Sequence, residues 1–177
     1  YVSNVPGHLD DIDSNLAIMK EQIQIHRSFL EDYIRVWHDT VPGHPRVWFT
    51  EIMYLPEGGD DNLEFVELTS FGDEDVNLSG WSIPAMGYTF PQGSILPAGK
   101  SAIVASSPAS LVLYYGGSDL PLVFGPTAGQ LANEGEELRL LDAGPGYPAT
   151  VDYVRYDGQA PWPEVRPGHS LEFLREI

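Results

Sequence analysis

Glycine and proline divide this sequence into two parts that cannot share one kind of secondary structure. Residues 8–41 contain neither residue type, whereas residues 46–177 contain 16 glycines and 12 prolines. Both residues interrupt helices and mark turns, so only the first part can form a long helix. The border is the breaker cluster Val-Pro-Gly-His-Pro at 41–45. We therefore predict a helical segment and hinge over 1–45, and a turn-rich β domain over 46–177.

Apolar residues in the first part recur at alternating intervals of three and four. The series is Leu9, Ile12, Leu16, Met19, Ile23, His26, Leu30, Tyr33 and Trp37. This spacing is the a/d pattern of a packed helix. Further apolar residues lie outside that seam, so a helix over 9–37 is too apolar to stand free in water. Its own β domain, a second copy of the chain, or an upstream domain or protein partner could cover it; at roughly 44 Å the helix is too long for its own β domain to cover it completely.

From Arg46 onward the hydrophobic period changes to two, which is typical of strands. Candidate strands span 46–54, 63–69, 81–83, 101–105, 120–124, 137–141, 150–155 and 170–174, and 108–115 is predicted to be a short helix. Short strands with turn residues every 8–12 positions indicate a sandwich or barrel. The predicted fold class is mainly β: a sandwich of about seven to nine strands, preceded by one long N-terminal α-helix.

The charge balance and the lack of cysteine narrow the classes of partner and chemistry. The sequence contains nine Lys and Arg but 26 Asp and Glu, which gives a formal net charge of −17. Nucleic acids and anionic membranes attract basic proteins, so we expect neither as a partner. No run approaches the roughly 18 apolar residues of a membrane span. The lack of cysteine excludes a disulfide, a thiolate metal site and a cysteine nucleophile. It also fits an exported bacterial protein.

No catalytic constellation is evident, and the best enzyme-like pair is Glu51 with Glu67. Phosphate-loop, nucleophile-elbow and dinucleotide motifs are absent, and the histidines form no metal-binding motif. Strict alternation places Glu51 on the face of Phe49 and Met53, and Glu67 on the face of Phe65. Paired carboxylates can hydrolyse glycosides. We favour a structural role, capping N–H groups or binding Arg, and predict no catalytic residues.

Two turns gather oxygen ligands of the kind that hard cations prefer. Asp60, Asp61 and Asn62 lie in one turn, and Asp73 and Asp75 lie in the next. Such side chains in flexible loops suit Ca²⁺. Neither turn has the EF-hand spacing, and acidic loops are usually only solvated. We therefore predict no required cofactor, with calcium at these five residues as the alternative.

Two tryptophans stand in local sequences that predict their environment. In Leu-Ser-Gly-Trp at 78–81, Gly80 permits a tight turn and Trp81 is predicted to enter the core, the alternative being stacking on a ligand. Trp162 lies between two prolines, which hold it extended. We predict that Trp162 plugs one end of the sandwich, the alternative being a solvent-facing aromatic for a peptide or glycan.

Residues 46–174 resemble the lamin tail domain family, an immunoglobulin-like sandwich. The motifs that carry the resemblance occur in family order: Glu51-Ile52-Met53-Tyr54 with Pro56, Glu64-Phe65-Val66-Glu67-Leu68, Leu78-Ser79-Gly80-Trp81, Phe90 with Gly93, Leu96-Pro97-Ala98-Gly99, residues 131–136, Val151-Asp152 with Tyr156, residues 161–163, and residues 168–172. Thr50 and Thr69-Ser70 depart from the family pattern. The resemblance implies a non-catalytic accessory module of an exported bacterial protein, extracellular or at the cell surface, that mediates protein interaction or surface attachment.

Two other functions stay open. Residues 23–30, Ile-Gln-Ile-His-Arg-Ser-Phe-Leu, look like the closing helix of the spore-coat-protein-H-like kinase family, which accompanies lamin tail domains in bacteria. On that resemblance the chain would be the C-terminal part of a larger enzyme whose catalytic domain lies upstream. The acidic turns offer the other alternative, a calcium-dependent adhesive module.

Overall fold

The chain divides into two units between His44 and Pro45. A computed structural model describes residues 45–116, 120–144, 146, 148–159, 162 and 165–172, all in the second unit. The predictions for the helix over 9–37, and for partners that bind it, lie outside the described residues.

The described part of the chain contains eleven strands, one α-helix and three short 3-10 turns, Glu57–Gly59, Asp61–Leu63 and Pro84–Met86. The strands are β1 Val47–Met53, β2 Phe65–Ser70, β3 Val76–Asn77, β4 Ser82–Ile83, β5 Tyr88–Thr89, β6 Ile95–Leu96, β7 Ser101–Ala105, β8 Leu122–Phe124, β9 Gly135–Leu141, β10 Thr150–Asp157 and β11 Leu171–Glu172; helix α1 is Pro108–Tyr115. The mainly β class is confirmed. The predicted strand count was too low because β3, β5 and β6 have only two residues each and carry no readable period. Within the described residues, no helix has both the length and the apolar composition to cross a membrane.

The strands form two principal sheets and a small ribbon. The five-stranded sheet has the order β11-β1-β2-β7-β8, the four-stranded sheet has the order β10-β9-β4-β5, and β3 pairs with β6. The described pairings are antiparallel except that of β7 with β8. A parallel pair needs a crossover connection, and α1 lies within the segment that connects β7 to β8.

The core contains side chains from both principal sheets, as expected of an immunoglobulin-like sandwich. Phe49 of β1 and Tyr156 of β10 are both almost fully buried. Tyr54 follows β1 and its ring lies 4.8 Å from that of Tyr156, centroid to centroid. The outer face of the five-stranded sheet carries a second, smaller apolar cluster: Met53, Phe65, Ile103, Ala105 and Leu111. Because Leu111 belongs to α1, the helix packs on this outer face.

A β-bulge in β1 changes which residues share its outer face. The register of β1 against β2 shifts between Phe49 and Glu51. Phe49 therefore belongs to the inner core, whereas Met53 belongs to the outer cluster. Glu51 is paired with Glu67 and shares the outer face with Met53. The prediction that Glu51 shares a face with Phe49 was wrong, because strict alternation fails where an extra residue is inserted.

Candidate functional site

Three glutamates form a row across neighbouring strands of the outer face. Glu51 of β1 is paired with Glu172 of β11 on one side and with Glu67 of β2 on the other. Burial raises the pKa of Glu51; a hydrogen bond with Ser170 opposes this shift, and the charges of Glu67 and Glu172 add to it. Like charges that face each other across strands repel. The row is therefore a concentrated negative surface.

Glu67 is held by hydroxyl groups. The Thr50 hydroxyl donates to Glu67 Oε1 at 2.6 Å. A chain of hydroxyl contacts continues from Thr50 to Thr69 at 2.9 Å and from Thr69 to Ser101 at 2.8 Å. Among the described residues, the donor to Glu67 is thus a hydroxyl, whereas we predicted a backbone N–H or Arg; the structural role of Glu67 stays a prediction.

Helix α1 begins and ends where local sequence signals dictate. The Ser107 hydroxyl oxygen accepts a hydrogen bond from the Ser110 N–H at 3.3 Å, and Pro108 occupies the first turn, where no N–H is needed. Gly116 follows the helix with φ of +82°, and its N–H donates to the Val112 carbonyl at 3.0 Å. The helix is therefore a defined element with eight residues, none of them charged.

Helix α1 presents apolar side chains to solvent. Leu111 is the residue that it buries. Leu113 is 87% exposed, and its neighbours Val112, Tyr114 and Tyr115 are also exposed. We call these four consecutive residues, 112–115, the α1 surface. Exposed apolar groups that are concentrated in one element can mark interaction sites, so this is the strongest candidate for a functional surface among the described residues.

Carboxylates border the α1 surface. The Tyr114 hydroxyl donates to Glu57 Oε2 at 2.7 Å, which raises the pKa of Tyr114. Burial raises the pKa of Tyr115, and the charges of Glu51 and Glu57 raise it further. The 3-10 turn Asp61–Leu63 also contacts α1. We call Glu51, Glu57 and Asp61 the acidic rim.

A second carboxylate environment lies inside the sandwich. Glu64 is 1% exposed, and its Oε2 accepts a hydrogen bond from the Leu131 N–H at 2.9 Å. Burial raises the pKa of Glu64 to about 7. Asp152 is also buried, and its Oδ2 accepts the Phe49 N–H at 2.8 Å. The sequence contains both residues within family-like motifs, but no pattern in it marks them as buried.

The acidic turns use several of their oxygens for local hydrogen bonds. Asp60 accepts from the Asn62 N–H at 3.2 Å and from the Asn62 side chain at 2.8 Å. Asp61 accepts from Gln130 Nε2 at 3.0 Å, and Asp75 from the Ala98 N–H at 3.0 Å. Across the described residues, no three His, Asp or Glu side chains gather in a group that could hold a metal ion. Calcium at Asp60, Asp61, Asn62, Asp73 and Asp75 stays a prediction.

The remaining motif residues lie at structural positions. Gly80 has φ of +78°, in a turn that the Trp81 N–H closes on the Leu78 carbonyl at 2.9 Å. Trp81 is buried in the core, and Trp162 is partly buried against it. Their contacts fit the core and end-plug interpretations better than ligand stacking.

The comparisons with known proteins agree with this architecture. The sequence model of the lamin tail domain family matches residues 40–157. That span is more than half of the chain, and it runs from β1 to β10, with α1 and its acidic rim inside it. A comparison with curated proteins gives no match.

Proposed function

The chain belongs to the lamin tail domain family, and from this premise we propose that its β domain is a protein-binding module that docks a partner on the α1 surface. The family is immunoglobulin-like and non-catalytic. The observation that carries the proposal is the exposure of four consecutive apolar residues on α1, with Leu113 87% exposed. Fully burying an exposed leucine such as Leu113 is worth roughly 1.5–3 kcal/mol, which favours association.

An interaction role fits the chemistry of this region better than catalysis. Glu51 and Glu67 could in principle act as an acid and a nucleophile, as paired carboxylates do in glycosidases. However, Glu67 is engaged by the Thr50 hydroxyl, and Glu51 is flanked by carboxylates on both sides. The row therefore supplies negative charge beside an apolar helix, which is a property of binding surfaces.

The proposal also includes the setting of the domain. We place it in an exported bacterial protein, at the cell surface or outside the cell, as a module that attaches or recruits. The main support is the exported multidomain setting that the family resemblance implies; the lack of cysteine fits it. Detection of the domain by antibody in the medium or on intact cells would support this part; recovery only from the cell interior would contradict it.

The test of α1 docking is an unbiased selection of binders. A random peptide library is selected on the full chain, and each binder is measured by fluorescence anisotropy on Leu113→Gln and Tyr114→Ala. The matched control is Tyr153→Ala, because Tyr153 is 47% exposed on β10 and its hydroxyl also contacts a glutamate, Glu137 Oε2, at 3.4 Å.

We expect the α1 substitutions to weaken the dominant binders at least about tenfold, and Tyr153→Ala to leave them unchanged. Urea unfolding of each variant shows whether it is folded. The proposal would be overturned if both α1 variants are folded and the dominant binders have the same affinity for them as for the native chain.

A further inference from the structure

We infer that the partner of the α1 surface is a peptide segment that combines apolar side chains with Lys or Arg. The inference rests on the proposed function and adds the chemical class of the partner. Its basis is the juxtaposition of an uncharged, exposed apolar helix with carboxylates whose described hydrogen bonds come from neutral groups.

The hydrogen-bond donors at the acidic rim leave its charge in place. Glu57 accepts from the Tyr114 hydroxyl, and Asp61 accepts from the amide of Gln130; the side chain that lowers the pKa of Glu51 is the hydroxyl of Ser170. Each of these donors is neutral. A neutral donor solvates a carboxylate without compensating its charge, so a cationic partner gains attraction here that an apolar partner alone does not.

The sequence around the rim adds to the same field. Residues 47–138 contain thirteen Asp and Glu but a single basic residue, Lys100. The row of Glu172, Glu51 and Glu67 continues the negative surface across three strands. Clustered charge of one sign raises the local concentration of oppositely charged partners and speeds their association.

The apolar half of the site sets the second requirement. Tyr115 packs edge-on against Phe65, with the ring centroids 6.3 Å apart, and the rings of Tyr114 and Tyr115 lie 4.8 Å apart. Tyrosine rings supply apolar area and a face for cations. Leu113 supplies aliphatic area. A polar basic segment would leave these groups exposed, so the partner needs both kinds of side chain.

The same charges disfavour other occupants. A second copy of the chain carries the same net charge of −17, and docking α1 on α1 would bring two acidic rims together. Nucleic acid and anionic lipid are repelled by the rim. A cationic apolar peptide is the occupant that the charge and the exposed area both favour.

Three synthetic fluorescent peptides test the inference on the full chain at about 0.15 M salt, a condition that screens distant charges. The first peptide is made of Lys and Leu, with Leu at helical intervals of three and four. The second has Glu in place of Lys, and the third has Ser in place of Leu. We expect only the Lys–Leu peptide to bind. We expect Leu113→Gln to weaken it at least about tenfold.

Glu57→Gln separates a local rim from general charge attraction. It removes one rim charge, whereas the control Glu137→Gln removes one charge from the four-stranded sheet, so both variants have the same net charge. We expect Glu57→Gln to weaken the Lys–Leu peptide about three- to tenfold, and Glu137→Gln to change its affinity less than twofold. Equal losses for the two variants would overturn the inference.

Failure of the inference is distinguishable from failure of the proposed function. If the Glu–Leu peptide binds as tightly as the Lys–Leu peptide, and Leu113→Gln weakens both, α1 docking stands and the charge inference falls. If Leu113→Gln weakens neither these peptides nor library-selected binders, the proposed function falls as well. Self-association in sedimentation velocity that Leu113→Gln abolishes would also overturn the inference, in favour of a second copy of the chain.

Discussion

At the scale of single residues, Glu64 shows how burial sets the chemistry of a side chain. It comes directly before β2 and connects that strand with the loop at Leu131. Burial is the main cause of its raised pKa; the hydrogen bond from Leu131 opposes the shift, and the charge of Asp61 adds to it. The folded chain therefore keeps a proton on Glu64 up to about pH 7, whereas the unfolded chain releases it near the ordinary value of 4.5.

This difference predicts a pH dependence of stability. Between about pH 4.5 and pH 7 the folded state binds more protons than the unfolded state, so the free energy of unfolding falls as pH rises. The stabilisation from Glu64 is complete below 4.5 and is lost as pH passes 7. Urea unfolding, followed by tryptophan fluorescence at several pH values between these limits and above, measures the slope.

Glu64→Gln isolates the contribution of this residue, because glutamine has a similar shape but does not titrate. We expect a shallower fall of stability with pH in Glu64→Gln than in the native chain. The control is Glu134→Gln, which changes an exposed glutamate and should leave the slope unchanged. A Glu64→Gln variant with the native slope would show that other groups cause the dependence.

Gly80 provides a second prediction at this scale. Its φ is +78°, and a Cβ at this position would lie 3.0 Å from the Cβ of Ala143. Gly93 has a similar φ of +84°, but a Cβ there would have no neighbouring atom within 4 Å. Backbone strain costs about 1–2 kcal/mol for a non-glycine residue. We expect Gly80→Ala to lower the free energy of unfolding by more than Gly93→Ala does, as measured by urea unfolding. Equal losses would mean that the turn shifts enough to relieve the contact with Ala143.

At the scale of elements, a backbone N–H beside the bulge in β1 has a side-chain carboxylate as its hydrogen-bond acceptor. The Phe49 N–H lies beside the register shift and donates to Asp152 Oδ2. Because β1 and β10 belong to different sheets, this buried hydrogen bond connects the two layers. A buried N–H that loses its acceptor costs about 1–3 kcal/mol.

Asp152→Ala should therefore lower the free energy of unfolding by about 1–3 kcal/mol or more. Asp152→Asn keeps a carbonyl oxygen at the same place, so it should recover part of the loss. Chemical denaturation of the three proteins gives both values. If Asn is no better than Ala, the hydrogen bond to Phe49 does not account for the role of Asp152.

The elements also show what the sequence could predict. Helix α1 was predicted at its observed bounds because Pro108 suits a first turn and apolar residues follow it, and β7 was also predicted at its observed bounds. The two-residue strands β3, β5 and β6 were missed because a period of two needs more residues to appear. The face of Glu51 was predicted wrongly because a bulge leaves no sign in the hydrophobic pattern.

The candidate site was harder to predict than the fold. The sequence places Glu51 and Glu67 on two consecutive strands, and the structure shows that these strands pair and set the two residues opposite each other. The sequence does not show that α1 buries Leu111 alone, since apolar residues in a short helix ordinarily indicate core. It also does not show that Glu57 lies beside Tyr114, 57 residues away along the chain. Such contacts depend on the tertiary packing of loops.

At the scale of the whole molecule, the sign of the charge decides between classes of partner that the fold would permit. The family resemblance includes eukaryotic lamin tails, which are linked to chromatin, so fold alone would allow DNA binding. Affinity for DNA comes largely from Lys and Arg that neutralise phosphates. Here the net charge is −17, and residues 47–138 contain one basic residue.

We therefore expect the full chain not to bind DNA. At about 0.15 M salt and micromolar protein, a random duplex should migrate unchanged in an electrophoretic mobility assay. The Lys–Leu peptide gives the complementary measurement, because a surface that repels phosphate should attract that peptide. Lowering the salt should strengthen peptide binding and still give no DNA complex, since reduced screening increases attraction and repulsion alike. A DNA complex that grows stronger as salt is lowered would show a basic surface on the folded chain, and the charge argument for the partner would then fail together with this prediction.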